Sequence, residues 1–175
     1  MARPPRLKTF AYVGLYRYFL TFCSQHRARI LNQDDVFELL CRQLQLTSTA
    51  YDMAVDAYCI MPDHVHLLAR GQTDSAELRR FVKDLKQRTG YEFGKEQRGR
   101  LWQRDYYEHV LREDEDDSRV IAYIVNNPVR AGLVGAPMDS RYWGSFTWSR
   151  EQILDFVSDI PEWEPPCRRN GRARR

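Results

Sequence analysis

The sequence predicts an α+β fold: a ferredoxin-like antiparallel sheet of about four to five strands with helices mainly on one face. Strand-like and helix-like segments alternate in the order βαββαβα along the 175 residues, which begins with the order typical of ferredoxin-like proteins. The second and third strands are separated only by Met61, Pro62 and Asp63, a turn signal that makes them an antiparallel hairpin. A parallel sheet requires long crossover connections, and few of the other connections favour them, so an antiparallel sheet is predicted.

Each element is predicted from the residues that compose it. The first strand is rich in aromatic and β-branched residues. The first helix begins at Asp34 and Asp35, which suit a helix N-terminus, and carries apolar side chains at helical spacing. The third helix has to end near Asn127 because Pro128 disfavours helical geometry in the residue before it. The predicted elements are strands at 12–23, 51–60, 64–70 and 101–112, helices at 34–47 and 76–93, a third helix after the acidic run 113–117, and a short helix at 150–157.

The chain is predicted to form one domain, at 11–160, between two basic ends. Residues 1–10 are expected to be a mobile arm. Residues 161–175 are expected to be a basic disordered tail, because 165–175 hold five arginines and almost nothing apolar. The aromatic segment 142–148 is expected to cover the sheet edge or the core, although its rings could instead stack on bases.

The composition narrows the class of protein only in part. The formal net charge is +3, from 27 basic and 24 acidic residues, which is too small to establish a nucleic-acid partner by itself. The four cysteines show no C-x-x-C spacing and are expected to be thiols of a reducing compartment. No apolar run approaches the about 20 residues of a membrane span, and the first residues lack the apolar segment of a secretory signal. A cytoplasmic protein without a membrane partner is therefore expected.

His64 and His66 are the strongest functional signal in the chain. They flank Val65 in a short apolar run, and if this run is a strand, both imidazoles project from the same face. Their reach then suits one divalent cation, while Val65 and Leu67 can bury on the opposite face. On this spacing alone, two structural histidines on a strand stay an equal alternative. With Tyr123 and Asn127 in register, the metal-site interpretation becomes the favoured one.

Tyr123 in the third helix is predicted to supply the second half of the site. At about 100° per residue, Ile121 and Val125 belong to the apolar stripe that faces the core, and Tyr123 lies well away from it. Asn127 follows four residues later, about 40° away on the same face of the helix. The phenol and the amide are therefore expected to face together whatever lies across from the helix.

Other residues of the same chemical types compete for these roles. Tyr106 and Tyr107 in the fourth strand are rival nucleophiles, but strand tyrosines usually pack and neither has an amide at helical spacing. His109 in the same strand is expected to be structural, although it could lie near the site. His26 is assigned no role.

Three motifs carry a resemblance to a known family. They are P-D-H-V-H-L at 62–67, W-Q-R-D-Y-Y-E-H-V-L-R at 102–112 and Y-I-V-N-N-P-V-R-A-G-L-V at 123–134. In this order they resemble the single-tyrosine HUH transposases of the IS200 type and, more narrowly, the REP-associated tyrosine transposases of bacteria. The resemblance covers roughly two thirds of the chain, from Tyr12 to Val134.

The resemblance implies a site and a reaction. His64 and His66 would bind a divalent metal, Mg²⁺ or Mn²⁺, and Tyr123 would be the nucleophile that forms a 5′-phosphotyrosine on single-stranded DNA. Asn127 stands where insertion-sequence relatives usually supply a glutamine as third ligand. Tyrosine has an ordinary pKa of about 10, so a nearby cation would help by stabilising charge on the phenol oxygen.

The implied DNA partner is a single strand with a hairpin of the REP or BIME type, in a bacterial cytoplasm. Six basic residues are predicted to contact DNA phosphates, although they could form only a solvated face. Two other functions stay open: a REP-hairpin-binding regulatory protein with weak or no cleavage, and a hydrolytic metal nuclease. Both a monomer and a homodimer are compatible with the resemblance. The six basic residues are Arg79, Arg80, Lys83, Lys86, Arg100 and Arg104.

Overall fold

The structure, a computed structural model, describes residues 10–97, 99–161 and 163–166. Nearly all of the predicted N-terminal arm, and residues 162 and 167–175 of the predicted C-terminal tail, lie outside the described residues. The prediction of a disordered tail is wrong at Trp163, which is 7% exposed and packs in an apolar core. Within the described ranges, no helix combines the length and the apolar character needed to cross a membrane.

The described strands and helices follow the predicted order βαββαβα, and one further short helix, strand and helix come after it. Their bounds are β1 (Arg17–Ser24), α1 (Asp34–Ala50), β2 (Met53–Met61), β3 (His64–Gly71), α2 (Leu78–Gln97), β4 (Trp102–Val110), α3 (Asp117–Val125), α4 (Asn127–Arg130), β5 (Trp143–Gly144) and α5 (Arg150–Val157). The strands pair in the order β4-β1-β3-β2-β5, and every pair is antiparallel. The predicted fold class is confirmed.

The two faces of the sheet carry different helices. α1 and α2 cover the face to which Val65 and Leu67 point, and these elements share one apolar core. α3 and α5 cover the opposite face, where Leu68 lies in a second core. Since neighbouring residues of a strand point to opposite faces, His64 and His66 project on the α3 side. The two long helices thus share one face, as predicted, while the shorter α3 and α5 pack on the other.

The first strand begins at Arg17 rather than at Tyr12. Tyr12 and Gly14 have positive φ angles of 57° and 111°, which a continuing strand cannot contain. The N–H of Gly14 donates to the carbonyl of Ala76. A Cβ on Gly71 would lie 2.0 Å from the Gly14 carbonyl oxygen, so the two backbones can approach only because residue 71 is glycine. The segment before Arg17 therefore crosses the end of β3 as a turn.

The third helix is interrupted where Pro128 predicts it. α3 ends at Val125, and a single further turn, α4, carries Pro128 at its start, a position where proline is common. The N–H of Asn126 donates to the Ala122 carbonyl over 3.1 Å, and the N–H of Arg130 donates to the Asn126 carbonyl over 2.9 Å. These bonds keep α4 on the path of α3, so residues on both sides of the interruption share one face.

The aromatic segment 142–148 packs against the sheet, which was the favoured interpretation. Trp143 is 1% exposed, and the strand that contains it pairs with the edge of β2. A Cβ on Gly144 would lie 2.8 Å from the hydroxyl oxygen of Tyr58, so glycine permits this close pairing. Phe146 remains 39% exposed at the surface.

Candidate catalytic and DNA-binding site

His64 and His66 converge on one point on the α3 side of the sheet. The Nε2 atoms of their rings lie 3.1 Å apart. Two nitrogens that bind one divalent cation at about 2.1 Å each lie about 3.0 to 3.4 Å apart, depending on the coordination geometry. The observed separation falls in this range, and it is equally that of a hydrogen bond between the two rings.

Each imidazole is held by its other nitrogen. His64 Nδ1 lies 2.6 Å from Oδ1 of Asp63, and His66 Nδ1 lies 2.9 Å from Oγ1 of Thr21. Thr21 stands directly opposite His66 in the pairing of β1 with β3. A ring that is anchored through Nδ1 in this way presents Nε2 to a metal.

The Asp63 carboxylate also interacts with Arg27, whose Nη1 lies 3.2 Å from Oδ2. Burial raises the pKa of Asp63, but the His64 imidazole and the Arg27 guanidinium outweigh this effect and hold the pKa below its usual value. The carboxylate is therefore charged at neutral pH, and it increases the basicity of the His64 ring toward a metal.

Tyr123 lies directly beside the histidine pair. Its ring centroid is 5.6 Å from that of His66 and 5.8 Å from that of Phe19. The side chain is only 3% exposed, because Trp163 packs against it with the ring centroids 5.5 Å apart. The ring faces His66, which lies across from the helix. The prediction that Tyr123 lies away from the core is wrong, because the ring is buried in the second core together with Ile121 and Val125. The helical spacing did not indicate this burial, since Trp163 is distant in sequence.

Asn127 lies one turn beyond Tyr123 and is 4% exposed. Its side-chain N–H₂ donates to the backbone carbonyl of Tyr123 over 2.7 Å. It also lies 3.5 Å from the carbonyl of Ile124, whose usual helical donor is missing because residue 128 is proline. The amide nitrogen thus supports the interrupted helix, and the amide oxygen is the atom suited to a metal.

The third metal ligand stays a prediction. Within the described part of the chain, no group of three or more His, Cys, Asp or Glu side chains is arranged to hold a metal ion. The proposed set of two imidazoles and one amide oxygen is not such a group, because asparagine is not among these four residue types. Asn127 follows Tyr123 by one turn, and its amide nitrogen is bound to the Tyr123 carbonyl.

Arg130 is a residue of the site that the sequence analysis missed. Its guanidinium carbon lies 4.9 Å from the centroid of the Tyr123 ring, within the range of a cation–π contact. Seven residues are close to two helical turns, so Arg130 and Tyr123 share a face of the α3–α4 path. This spacing was readable in the sequence, but Pro128 suggested that the helix path ends before Arg130.

The two rival tyrosines lie on opposite faces of β4. Tyr106 faces α2, where its ring lies 5.7 Å from Nζ of Lys86, and this position excludes it from the histidine side. Tyr107 points to the α3 side, 6.2 Å from Phe19 between ring centroids, so it stays a rival of Tyr123 by location. His109 bonds through Nε2 to Glu115 at 2.8 Å, in agreement with a structural role.

Four of the six predicted DNA-contacting residues surround one cavity of about 340 Å³ between α2 and β4. Arg79, Lys83, Lys86 and Arg104 line it, together with Val82 and Tyr106. Nζ of Lys86 donates to the carbonyls of Gln103 and Arg104, at 2.8 Å and 3.0 Å. We call this cavity the basic groove.

The other two predicted residues do not line the basic groove. Arg80 is 73% exposed in its side chain and pairs with Glu77 at 2.8 Å. Arg100 is exposed in the loop before β4. The groove lies on the α2 side of the sheet, opposite to the face that carries Tyr123.

The chain is similar to known transposases over most of its length. Residues 12–127 match the family of IS200-like transposases, and this segment includes His64, His66, Tyr123 and Asn127. A candidate REP-associated tyrosine transposase of Haemophilus influenzae is 30% identical over 136 residues, which are 71% of this chain and 77% of that protein. The REP-associated tyrosine transposase of Escherichia coli is 25% identical over 145 residues, which are 70% of this chain and 82% of that protein.

A solved structure has the same fold. It is that of a REP-associated tyrosine transposase bound to a REP hairpin, with a TM-score of 0.68 at 19% identity and coverage of 82% of each chain. The sequence matches carry the assignment, and the fold agrees with it. The chain therefore belongs to the IS200-like transposases, on their REP-associated tyrosine branch.

Proposed function

We propose that this protein is a metal-dependent single-stranded DNA endonuclease and strand transferase that acts beside REP-like hairpins. One observation carries the proposal: the ring of Tyr123 packs against His66, whose Nε2 atom lies 3.1 Å from that of His64. A potential nucleophile thus adjoins a pair of nitrogens spaced for one divalent cation. Family membership supports the same reaction class.

The residues of the site have distinct roles in this reaction. His64, His66 and the amide oxygen of Asn127 would hold Mg²⁺ or Mn²⁺, which when bound polarises a phosphate oxygen and offsets negative charge. The Tyr123 hydroxyl oxygen attacks the phosphorus, and the bond from phosphorus to the 3′ oxygen breaks. The phenol proton passes to water, and the released 3′ oxygen takes up a proton. The product is a 5′-phosphotyrosine and a free 3′-hydroxyl, and attack by another 3′-hydroxyl rejoins the strand.

The basic groove is suited to a part of the DNA other than the scissile phosphate, because it lies on the opposite face of the sheet from Tyr123. Lysine and arginine side chains supply most of the sequence-independent affinity for DNA. β4 is an edge strand, so a DNA chain can pass around it from one face to the other. We infer that the groove binds the hairpin while the single-stranded flank reaches the histidine side.

A binding protein with weak cleavage is the second candidate function. The observation that favours it is the burial of Tyr123, which is 3% exposed beneath Trp163. A phosphate can reach the hydroxyl only after this cover moves. Such a protein would grip REP-like hairpins and react slowly or not at all.

The test is a covalent-adduct assay. The protein is incubated with Mg²⁺ or Mn²⁺ and with single strands that carry a REP-like hairpin and a randomised flanking sequence. We expect a covalent adduct that mass spectrometry locates on Tyr123. Tyr123→Phe should abolish the adduct and leave hairpin binding within about twofold, because the hydroxyl contributes chemistry rather than the main phosphate contacts.

Two further variants make this assay discriminating. Tyr106→Phe is the matched control, because Tyr106 faces the basic groove. Tyr107→Phe tests the rival on the histidine side. An adduct that persists in Tyr123→Phe and disappears in Tyr107→Phe would overturn the nucleophile assignment. Cut DNA without adduct would indicate hydrolysis, and binding without cutting in either metal would favour the regulatory protein.

A further inference from the structure

We propose that Arg130 is a catalytic residue that binds the phosphate under attack by Tyr123 and stabilises the charge that develops on it. This inference rests on the proposed function, since it takes Tyr123 as the nucleophile. Neither the resemblance nor the spacing argument assigned Arg130 a role. Its guanidinium lies over the Tyr123 ring, with the guanidinium carbon 4.9 Å from the ring centroid.

The neighbours of Tyr123 differ in what they can offer a phosphate. Phe19 and Trp163 contribute apolar rings, and His66 presents its Nε2 atom toward His64. Arg130 contributes a permanent positive charge and several N–H donors in a planar fork. Once Trp163 has moved aside, a phosphate bound beside the Tyr123 ring therefore has this fork as its nearest permanent positive charge among these neighbours.

The backbone holds Arg130 in place over the ring. The side chain of Asn127 donates to the Tyr123 carbonyl over 2.7 Å and so ties the turn after α3 to α3 itself. The N–H of Arg130 donates to the Asn126 carbonyl over 2.9 Å. Arg130 is half-buried and its Nη1 atom is fully buried, so packing orders the side chain over the ring.

The chemistry of the attack requires such a donor. As the phenol oxygen bonds to phosphorus and the 3′ oxygen leaves, negative charge is shared by the non-bridging oxygens of the phosphate. His64 and His66 would hold a cation that offsets part of this charge. A guanidinium can donate two parallel hydrogen bonds to phosphate oxygens, and it carries its charge at every accessible pH. Removing one preorganised donor of this kind typically costs about 100-fold or more in rate.

The alternative is that Arg130 only covers the Tyr123 ring and stabilises the fold. Single-turnover adduct formation at saturating hairpin DNA separates the two roles. We expect Arg130→Ala to lower this rate about 100-fold and to leave the Kd for hairpin DNA within about twofold. Added guanidinium ion should restore part of the lost rate, because it can occupy the vacated position. Urea at the same concentration, which is uncharged, should not.

Arg130→Lys and a matched control complete the test. Lysine keeps the charge and loses the fork, so we expect it to lower the rate about tenfold. Arg141→Gln is the control, since Arg141 also lies over an aromatic ring, 5.3 Å from that of Phe37, but on the α1 side. It should change the rate by less than about twofold. If Arg130→Ala fails to fold in thermal denaturation, Arg130→Lys alone decides the question.

The outcomes also separate this inference from the proposed function. If wild-type protein forms no adduct on Tyr123, the proposed function fails. If wild-type protein forms the adduct and the variants at Arg130 react at the wild-type rate, only the role of Arg130 is refuted. A slow Arg130→Ala that guanidinium ion does not accelerate would assign Arg130 to packing.

Discussion

The imidazole pair depends on a residue that is remote in sequence. Thr21 holds Nδ1 of His66 at 2.9 Å from its hydroxyl oxygen, across the β1–β3 pairing. Valine has nearly the shape of threonine and lacks the hydroxyl, so Thr21→Val frees the ring to adopt the other tautomer or to turn. We predict that this variant binds Mn²⁺ about tenfold more weakly, since groups that orient metal ligands carry effects of this size. Isothermal titration of the DNA-free protein with Mn²⁺ measures the change.

Thr73→Val is the matched control for this prediction. The hydroxyl of Thr73 lies 3.1 Å from that of Ser75, beyond the other end of β3. Its loss should leave Mn²⁺ affinity unchanged. Equal Mn²⁺ affinity of Thr21→Val and wild type would show that the cross-strand bond does not orient His66.

The residues of the candidate site differ in how well their positions could be predicted from the sequence. The H-V-H spacing was sufficient to predict that His64 and His66 share one face of the sheet, because alternation along a strand is a local property. Thr21 was not readable, since its partnership with His66 depends on the register between two strands far apart in the chain. The contact between Arg130 and Tyr123 was not predicted, because Pro128 indicates a helix end before Arg130 although the path of the helix continues.

At the scale of elements, Trp163 covers the candidate nucleophile on α3. Trp163 is 7% exposed and packs on Tyr123 and Phe19, with ring centroids 5.5 Å and 5.0 Å away. We predict that Trp163→Ala lowers the free energy of unfolding by about 3 kcal/mol, as expected for the loss of a buried indole. The same change should raise the rate of adduct formation per folded molecule, because Tyr123 becomes accessible. Denaturant unfolding and the single-turnover adduct assay measure the two effects.

Trp148→Ala is the control for the cover. Trp148 packs at the edge of the same core, with its ring 5.8 Å from that of Phe156. We expect it to lose stability without a gain in adduct rate. An adduct rate in Trp163→Ala that is no higher than in wild type would mean that DNA reaches Tyr123 by another path.

Two elements show where local patterns stop being informative. The first strand was predicted to begin at Tyr12 because the segment is aromatic, yet positive φ angles at Tyr12 and Gly14 end the extended conformation. Side-chain type does not specify those angles at a tyrosine. The periodicity of α3 indicated one apolar stripe, whereas α5 and Trp163 bury its other sides as well. Burial of that kind depends on segments that follow α3 and pack back on it.

At the scale of the whole molecule, one sheet separates the candidate catalytic residues from the basic groove. The candidate catalytic residues lie on the α3 face, and the basic groove lies on the α2 face beside the edge strand β4. The formal net charge of +3 conceals this arrangement, because charge acts on DNA through its local distribution. The order of elements was predictable from hydrophobic pattern and turn residues. The gathering of four basic side chains around one groove was not, since it requires the distance between α2 and β4.

If the basic groove binds DNA phosphates, its residues should determine how strongly the DNA affinity depends on salt concentration. Lys83 and Arg104 are exposed residues that line it, so Lys83→Gln combined with Arg104→Gln removes two phosphate contacts without disturbing a core. Each phosphate contact contributes about 0.7 to 0.9 to the slope of log K against log salt concentration. The double variant should therefore bind hairpin DNA more weakly and with a slope lower by about 1.4 to 1.8. At saturating DNA the adduct rate of the double variant should equal that of wild type, because Tyr123 lies on the other face of the sheet.

Fluorescence anisotropy over a series of NaCl concentrations measures the slope. The charge-matched control is Arg42→Gln combined with Arg141→Gln, since both residues lie outside the groove. An unchanged slope in the groove variant would remove the basic groove from the DNA path, and a slope that falls equally in the control would show that only total charge matters.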